Sequence, residues 1–537
     1  MAARKRARQD TFDYVIVGAG GAGAVLAARL SEDPTISVLL VERGGKGFNP
    51  LLYIPKGFFF TLQSDKLTTT YTSQPFPSGD TELWQRGRVL GGSTAVNGMM
   101  YVRGQRSDYD ALAAAGNPGW GWDRVLPAFR ALEDHSLGAS ATRGSGGPVG
   151  VTVPTETDDE TVQLFLESAQ KAGWRYVDDI NAQDEQQVGF TPSTIKDGIR
   201  QSTANTFLWA ARHRKNLTVA TDTTVGRLRF DGNRAVGVTA RHRDQLVEYT
   251  ARKEVIVSAG AIETPMLLER SGIGRGDVLS NAGVALRVES PNVGERVIEQ
   301  HGVGVQVRFK RPIGRTLALS SKVKQMTQGA RYLLTRRGPV GTAGYDLMAH
   351  IKSAPELDRP DIQLVATPFG LDFSKGLNPS KEPGMYLLGY QIRPNTHSSV
   401  HISDAEAGSA PTIHANYFED HEDRRVTGSI VDRLRDVLAQ EPLAGEIAFE
   451  EFPGSAVQTP EQAVRFAHSP GSTIYHAVGS AAMGPNDDDV VTSDLRVRGV
   501  EGLRVADISV LPTQVSGNTA APAMAIGWLA ADLIRSS

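Results

Sequence analysis

The sequence predicts an α/β protein, α+β overall, in which a Rossmann-like domain is joined to a second domain built on a mainly antiparallel sheet with helices. Residues 14–17 form an apolar strand, followed by a glycine turn, a helix over 24–31 and a second apolar strand at 38–41. From about 301 to 460 the pattern changes to short β-like runs and helices such as 425–439. The 537 residues, 40% of them hydrophobic, suffice for two or more domains.

The glycine turn, residues 18–23 (GAGGAG), is the strongest local motif. Glycines at this spacing allow a tight turn, close approach of the backbone to a pyrophosphate, and close packing of helix on strand. The phosphates would meet the N-terminus of the first helix, whose unpaired N–H groups favour negative charge. Glu42 follows the second strand, 19 residues after Gly23, where a carboxylate accepts hydrogen bonds from ribose hydroxyls. The segment predicts a site for the ADP half of NAD, NADP or FAD.

The next forty residues do not continue the alternation of strand and helix. Residues 44–81 are rich in Gly, Pro, Ser, Thr and aromatics, where a nicotinamide enzyme with two mononucleotide-binding halves would add further βαβ units. The three phenylalanines at 58–60 either cover a pocket or anchor this loop on the core, and we favour the anchor. Residues 87–98 (GRVLGGSTAVNG) predict either a second backbone site for a phosphate or a flat ring, or a capped helix without ligand.

Composition excludes several classes of function. With 57 basic and 60 acidic residues the net charge is −3, so we expect no nucleic-acid partner. The chain has no cysteine, which excludes disulfides, thiolate nucleophiles and cysteine-bound metals. Redox chemistry would therefore need a bound cofactor. His397 and His401 suggest a metal pair, but residues 400–402 look like strand and neither a carboxylate nor a cysteine completes the set, so we expect no metal.

The N-terminal residues 1–9 are basic and no apolar stretch follows them, so we expect a disordered tail rather than a secretory signal. No window reaches the ~18 to 20 apolar residues of a membrane helix. We therefore expect a cytoplasmic protein with no membrane span.

Four motifs resemble the glucose-methanol-choline (GMC) oxidoreductase family, and the resemblance extends over residues 13–534. They are, in chain order, the glycine turn, residues 87–104, residues 260–274, and the C-terminal segments 475–484, 507–512 and 516–519. The resemblance implies a Rossmann-like FAD-binding domain and a substrate domain. It also implies oxidation of an alcohol to an aldehyde or ketone by hydride transfer to flavin N5, with the flavin reoxidised by O2 or another acceptor.

Two other functions stay open at this point. The GMC family includes non-redox enzymes such as hydroxynitrile lyases, and its light-driven decarboxylases use a cysteine that this chain lacks. A nicotinamide-dependent dehydrogenase is supported only by the first glycine motif.

The resemblance implies that His476 lies over the flavin facing the substrate hydroxyl, with Asn518 as its partner. Loss of hydride from a carbinol carbon is easier as its hydroxyl loses the proton, and a histidine of pKa about 6.5 suits the role of base. Asn518 can donate its amide to the same oxygen, or cap the helix that follows, or both. The predicted catalytic pair is His476 as base and Asn518 as donor.

The predicted cofactor site combines the first glycine motif with positions implied by the resemblance. It comprises Gly18, Gly20, Gly21, Ala22, Gly23, Glu42, Arg88, Gly92, Ser93, Asn97, Gly98, Val225, Asp507, Asn518 and Thr519. Val96 stands where some relatives carry a histidine joined to FAD, so we expect non-covalent FAD. The run 299–301 (EQH) replaces an Asp-His pair of many relatives, with a consequence that the sequence leaves open.

We expect a discontinuous FAD-binding domain and a substrate-binding domain, with the alcohol between them. The first would comprise residues 10–155, 205–300 and 470–537, and the second residues 156–204 and 301–469. The sequence does not identify the alcohol, the natural electron acceptor or the oligomeric state.

Overall fold

A computed structural model of the protein describes residues 9–155, 157–375, 378–469 and 471–537. The predicted tail, residues 1–9, lies outside the described residues apart from Gln9, with which the first strand begins. Most strands belong to two large sheets. In chain order they are β1 (Gln9–Val17), β2 (Val38–Val41), β3 (Arg175–Tyr176), β4 (Gln187–Phe190), β5 (Leu217–Ala220), β6 (Thr223–Asp231), β7 (Arg234–His242), β8 (Gln245–Val257), β9 (His301–Phe309), β10 (Leu347–Ile351), β11 (Ile362–Thr367), β12 (Gly384–Gln391), β13 (Ile447–Phe452), β14 (Ser472–Thr473) and β15 (Leu503–Val505).

The longer helices pack around these sheets. Those of eight or more residues within the described ranges are α1 (Gly21–Leu30), α2 (Arg106–Ala114), α3 (Trp122–Leu132), α4 (Glu160–Lys171), α5 (Gly260–Arg270), α6 (Lys322–Thr335), α7 (His421–Leu438), α8 (Pro460–His468) and α9 (Ala520–Ser536). None of the described helices is both long enough and apolar enough to cross a membrane.

The first sheet has seven strands in the order β5-β2-β1-β8-β7-β6, with β15 paired to the last residues of β8. Strands β5, β2, β1, β8 and β15 run parallel, and β7 and β6 are antiparallel additions. Val17 is in register with Val41 on one side and Val257 on the other. Because parallel strands end at one edge, the glycine turn, Glu42 and the start of α5 meet there.

The second sheet has eight strands in the order β13-β9-β12-β11-β10-β4-β3, with β14 paired to the start of β9. Its pairs are antiparallel except β3 with β4. Helix α7 packs closely on this sheet, since a Cβ on Gly389 of β12 would lie 2.5 Å from the Ile430 side chain. The two sheets have separate apolar cores.

This architecture confirms the predicted fold class. Individual helices begin a few residues earlier than their apolar spacing predicted, for example α1 at Gly21 and α7 at His421. The Asp420 side chain accepts N–H bonds from Glu422 and Asp423, so a polar cap defines that start rather than an apolar residue. The domain boundaries stay a prediction.

Candidate active site

A cavity of about 520 Å³ is lined by residues of both sheets. This volume is usual for a small-molecule site. Its walls include every residue of the predicted cofactor set except Gly23 and Arg88, and they include His476. Gly23 lies behind the turn, and the Arg88 guanidinium donates to the Asp65 carbonyl. Arg88 does not line the cavity, and its role at the cofactor stays a prediction.

The glycine turn has the geometry that a bound pyrophosphate needs. Gly18 has a φ of 103°, and a Cβ there would lie 2.3 Å from the Ser258 carbonyl oxygen. A Cβ on Gly23 would lie 2.0 Å from the Gly18 oxygen, which explains the close packing of α1 on β1. The Cβ position of Gly20 has no heavy atom within 4 Å. At Gly20 the backbone is therefore open to a ligand.

Glu42 lies at the end of β2 with its carboxylate divided between two backbone amides. One oxygen accepts from Ala19 N–H at 3.0 Å and the other from Gly44 N–H at 2.7 Å. Burial raises the pKa of Glu42. Each carboxylate oxygen keeps a second lone pair, so Glu42 can also accept hydrogen bonds from ribose hydroxyls.

Asp507 links the first sheet to α5. It accepts from Gly260 N–H at 2.9 Å and from the Thr264 hydroxyl at 2.6 Å, and its other oxygen accepts from Ser509 N–H at 2.8 Å. The carboxylate thus satisfies donors at the start of α5. Asp507 therefore shapes the cavity wall next to the turn.

His476 is positioned by the pairing of β14 with β9. His301 pairs with Thr473 and Ile298 with Val478, so Gln300 lies opposite His476. The Gln300 amide nitrogen donates to the Ile392 carbonyl at 2.7 Å, which orients its oxygen towards His476 Nδ1, also at 2.7 Å. Because an amide oxygen only accepts, Nδ1 carries the proton and Nε2 keeps its lone pair.

Asn518 completes this arrangement from the loop before α9. Its oxygen accepts from Gln363 Nε2 at 2.9 Å, and its nitrogen lies 3.1 Å from His476 Nε2. An amide nitrogen only donates, which agrees with the tautomer assigned through Gln300. The side chain does not cap α9, whose N-cap is Thr519 without a side-chain bond. Here the Asn518 amide donates to His476, so a substrate oxygen would have to accept an N–H from the same amide.

The hydrogen bonds continue into the second sheet. His350 Nε2 lies 3.2 Å from the Gln363 oxygen, and the two residues are register partners on β10 and β11. Burial lowers the pKa of His350 to about 4, so this imidazole is neutral near neutral pH. A relay of hydrogen bonds therefore runs from His350 through Gln363, Asn518 and His476 to Gln300. It fixes the orientation of each of these amides and rings.

Glu299 holds the backbone beneath His476. One of its oxygens accepts from His476 N–H at 2.6 Å and Gln300 N–H at 3.0 Å, and the other accepts from Ala477 N–H at 2.9 Å. Arg86 lies 3.3 Å from the carboxylate. Burial raises the pKa of Glu299 to about 7 despite the Arg86 charge.

The pKa of His476 differs from the ordinary value assumed from the sequence. Burial, with a smaller contribution from the Arg86 charge, lowers the pKa of His476 to about 3. The imidazole is therefore neutral near neutral pH, and its unprotonated Nε2 accepts from the Asn518 amide.

His401 bonds two carboxylates that are distant in sequence, Glu269 at 2.6 Å and Glu295 at 3.1 Å. Although burial opposes the charged form, these bonds raise the pKa of His401 to about 9. Within the described ranges no group of three or more His, Asp or Glu side chains is arranged to hold a metal ion. His401 is thus part of an ion pair with two carboxylates from distant parts of the chain, which its sequence neighbourhood does not reveal.

Comparison with known proteins identifies the family. A family model described as GMC oxidoreductase matches residues 12–319, and a second with the same description matches residues 394–527. The chain belongs to the GMC oxidoreductase family, whose members are flavoproteins that bind FAD. The predicted family and enzyme class, an FAD-dependent oxidoreductase acting on alcohols, are confirmed.

Similar proteins match over almost their whole length. An oxygen-dependent choline dehydrogenase from Stenotrophomonas maltophilia is 35% identical, covering 98% of this chain and 95% of the relative. A mitochondrial choline dehydrogenase from Mus musculus is 34% identical, with coverages of 98% and 90%. The crystal structure of pyridoxine 4-oxidase from Mesorbium loti is 29% identical, with a TM-score of 0.89 and coverages of 98% and 99%.

The cavity fits the cofactor of this family. The open backbone at Gly20 and the lone pairs of Glu42 suit the ADP half of FAD, and Gly92 and Thr519 line the same cavity. The sequence motifs give no role to Gln300, Gln363 or Glu299. The run 299–301, which differs from the Asp-His pair of many relatives, is the one sequence signal that points to Glu299 and Gln300.

Proposed function

We propose that this protein oxidises an uncharged alcohol with an apolar body, with His476 as base and non-covalently bound FAD as hydride acceptor. The observation that supports this most is the neutral, oriented imidazole of His476, whose Nε2 lone pair lies beside the Asn518 amide at the cavity wall.

The hydroxyl of the substrate would take the place of the Asn518 amide at His476 Nε2, donating to this nitrogen and accepting from an N–H of Asn518. FAD, when bound, supplies the acceptor for the hydride that leaves the carbinol carbon. An imidazole with so low a pKa is a weak base, so it takes the proton as the C–H bond breaks and the hydroxyl becomes acidic. The proton moves to Nε2 and the carbonyl product leaves.

The Nδ1 hydrogen bond to Gln300 supports this step. As Nε2 gains a proton the ring becomes positive, and an acceptor already in place at 2.7 Å stabilises that charge. The carboxylate of Glu299, held 2.6 Å from the His476 backbone nitrogen, adds favourable charge when ionised.

The walls near His476 favour an apolar, uncharged substrate. They include Tyr345, Tyr386, Leu388 and Tyr390. The carboxylates found in the described part of the wall are Glu42, Glu263 and Asp507, and each is already paired, Glu263 with Arg43 at 2.7 Å. A quaternary ammonium would therefore find aromatic faces but no free carboxylate.

A visible spectrum of the purified protein tests the cofactor, since flavin gives bands near ~370 and ~450 nm. Denaturation with acid should release all of the colour into the supernatant, because Val96 offers no atom for a covalent link. Colour that stays with the precipitate would contradict non-covalent binding.

His476→Ala tests the base. The variant should retain the flavin bands and slow anaerobic flavin reduction by benzyl alcohol at least ~100-fold, in line with general-base contributions. His213→Ala, an exposed histidine, is the matched control. An unchanged reduction rate in the His476 variant would remove it from the mechanism. Faster bleaching by choline than by benzyl alcohol would contradict the proposed substrate class.

Three further points remain predictions. The flavin would be reoxidised by O2 or another acceptor, which an oxygen electrode distinguishes. A cytoplasmic location is expected, although the relatives from Mus musculus and Homo sapiens are named as mitochondrial. The domain boundaries given above separate cofactor and substrate regions.

A further inference from the structure

Helix α6 displays large apolar side chains to solvent. Val323 and Met326 are each 74% exposed, Leu333 is 63% exposed and Leu334 is 86% exposed. At about 100° per residue these four side chains fall within one arc of about 100°. An ordinary surface helix turns such a stripe towards the core.

The opposite side of α6 is the one attached to the protein. Tyr332 is 1% exposed, and its hydroxyl donates to the Gly198 carbonyl at 2.8 Å. By helical geometry Tyr332 points away from the centre of the apolar stripe. The stripe therefore faces outward because the helix is docked through its other face.

Basic residues flank the stripe on both sides. Lys322 lies beyond one edge, Lys324 and Arg331 lie beyond the other, and Arg336 and Arg337 follow the helix. All five are exposed, and within the described part of the chain none forms an ion pair with a carboxylate. Residues 310–345 contain no acidic residue, whereas the whole chain has a net charge of −3.

We propose that α6 binds the surface of an anionic lipid bilayer, lying in the interface with its apolar stripe in the acyl boundary. An outward apolar stripe bordered by unpaired lysines and arginines is the arrangement that such helices share. Charge complementarity selects anionic headgroups over zwitterionic ones. The helix is too short and too polar to span, so the contact is peripheral.

Sedimentation of the FAD-loaded protein with vesicles tests this. Vesicles of about one part phosphatidylglycerol to two parts phosphatidylcholine should bind the protein, and vesicles of phosphatidylcholine alone should not. Binding should weaken at about 0.5 M NaCl, where the Debye length is short. Equal binding to both vesicles, or binding to neither, would overturn the proposal.

Two variants separate the contributions. K322Q/K324Q/R331Q should bind anionic vesicles about 100-fold more weakly, at about fivefold for each charge removed. V323S/M326S/L333S should lose at least tenfold. The matched controls are K171Q/K215Q, exposed lysines elsewhere, and L246S/L286S, exposed leucines elsewhere. All variants should keep the flavin spectrum, because the substituted side chains are exposed.

Light scattering tests the alternative occupant, a second copy of the chain. If the wild type is a dimer and V323S/M326S/L333S is a monomer, α6 is a subunit interface and the lipid proposal is wrong. Equal masses for the two proteins, together with the loss of vesicle binding, support it.

Discussion

Replacing Gln300 with leucine should slow flavin reduction about 10- to 100-fold while FAD stays bound. Gln300 is fully buried, accepts from His476 Nδ1 at 2.7 Å and donates to the Ile392 carbonyl at 2.7 Å. Leucine has a similar volume and makes neither bond. The Nδ1–H group and the carbonyl are then left buried without a partner.

The magnitude follows from these two lost bonds. Each unsatisfied buried group costs about 1–3 kcal/mol. The free energy lost at the imidazole raises the barrier to flavin reduction, because the ring is less well oriented and the positive charge that it gains is less well stabilised. About 1.4 kcal/mol of barrier is a factor of ten in rate. The share that falls on the Ile392 carbonyl affects stability alone. The matched control is Gln187→Leu, since Gln187 is also fully buried and donates to two carbonyls, at 2.8 and 2.9 Å.

The assay is anaerobic stopped-flow reduction by benzyl alcohol, followed near ~450 nm. Gln187→Leu should melt earlier but reduce at the wild-type rate. If Gln300 acts through His476, adding Gln300→Leu to His476→Ala should slow reduction little further. If Gln300→Leu reduces flavin at the wild-type rate, or slows reduction by the same factor in the His476→Ala background, Gln300 does not act through His476.

Three other outcomes follow from the structure. Glu299 has its pKa raised from 4.5 to about 7, so it stabilises the fold most below pH 4.5 and this contribution is lost as pH rises through 7. The free energy of unfolding of wild type relative to Glu299→Gln should therefore fall over that window, by an amount on the order of 3 kcal/mol, and a constant difference across the pH series would contradict this. Gly23→Ala should lose FAD, because its Cβ would lie 2.0 Å from the Gly18 oxygen, whereas Gly119→Ala, with open space around its Cβ, should retain it. Glu42→Gln should bind FAD at least tenfold more weakly in a fluorescence titration, because a Gln amide nitrogen cannot accept from Ala19 or Gly44.

The cofactor end of the site was predictable because its signals are local. A strand, a glycine turn and a helix within 9–30 have their own periodicity, and the carboxylate at 42 follows directly from the next strand. The register of β1 with β2 then brings these residues together without any long connection.

The relay around His476 was not predictable in this way. Gln363 meets His350 through the register of β10 with β11, and Gln300, just before β9, meets His476 because β9 pairs with β14 and Ile298 bridges Val478. Neither pairing leaves a periodic signal: Gln363 is a single polar side chain in an apolar run, and Gln300 stands between Glu299 and His301 outside any alternating pattern.

The sequence by itself determined the family and the parallel sheet with its glycine turn, and it predicted His476 and Asn518 as a pair, whose side chains lie 3.1 Å apart. Only the tertiary structure decided the protonation state and tautomer of His476. Its pKa depends on how completely the surrounding side chains exclude water, and its tautomer depends on the Gln300 amide, held 2.7 Å away by the segment just before β9. The tertiary structure also decided the outward direction of the stripe on α6, because the buried contact of Tyr332 selects which face meets the protein.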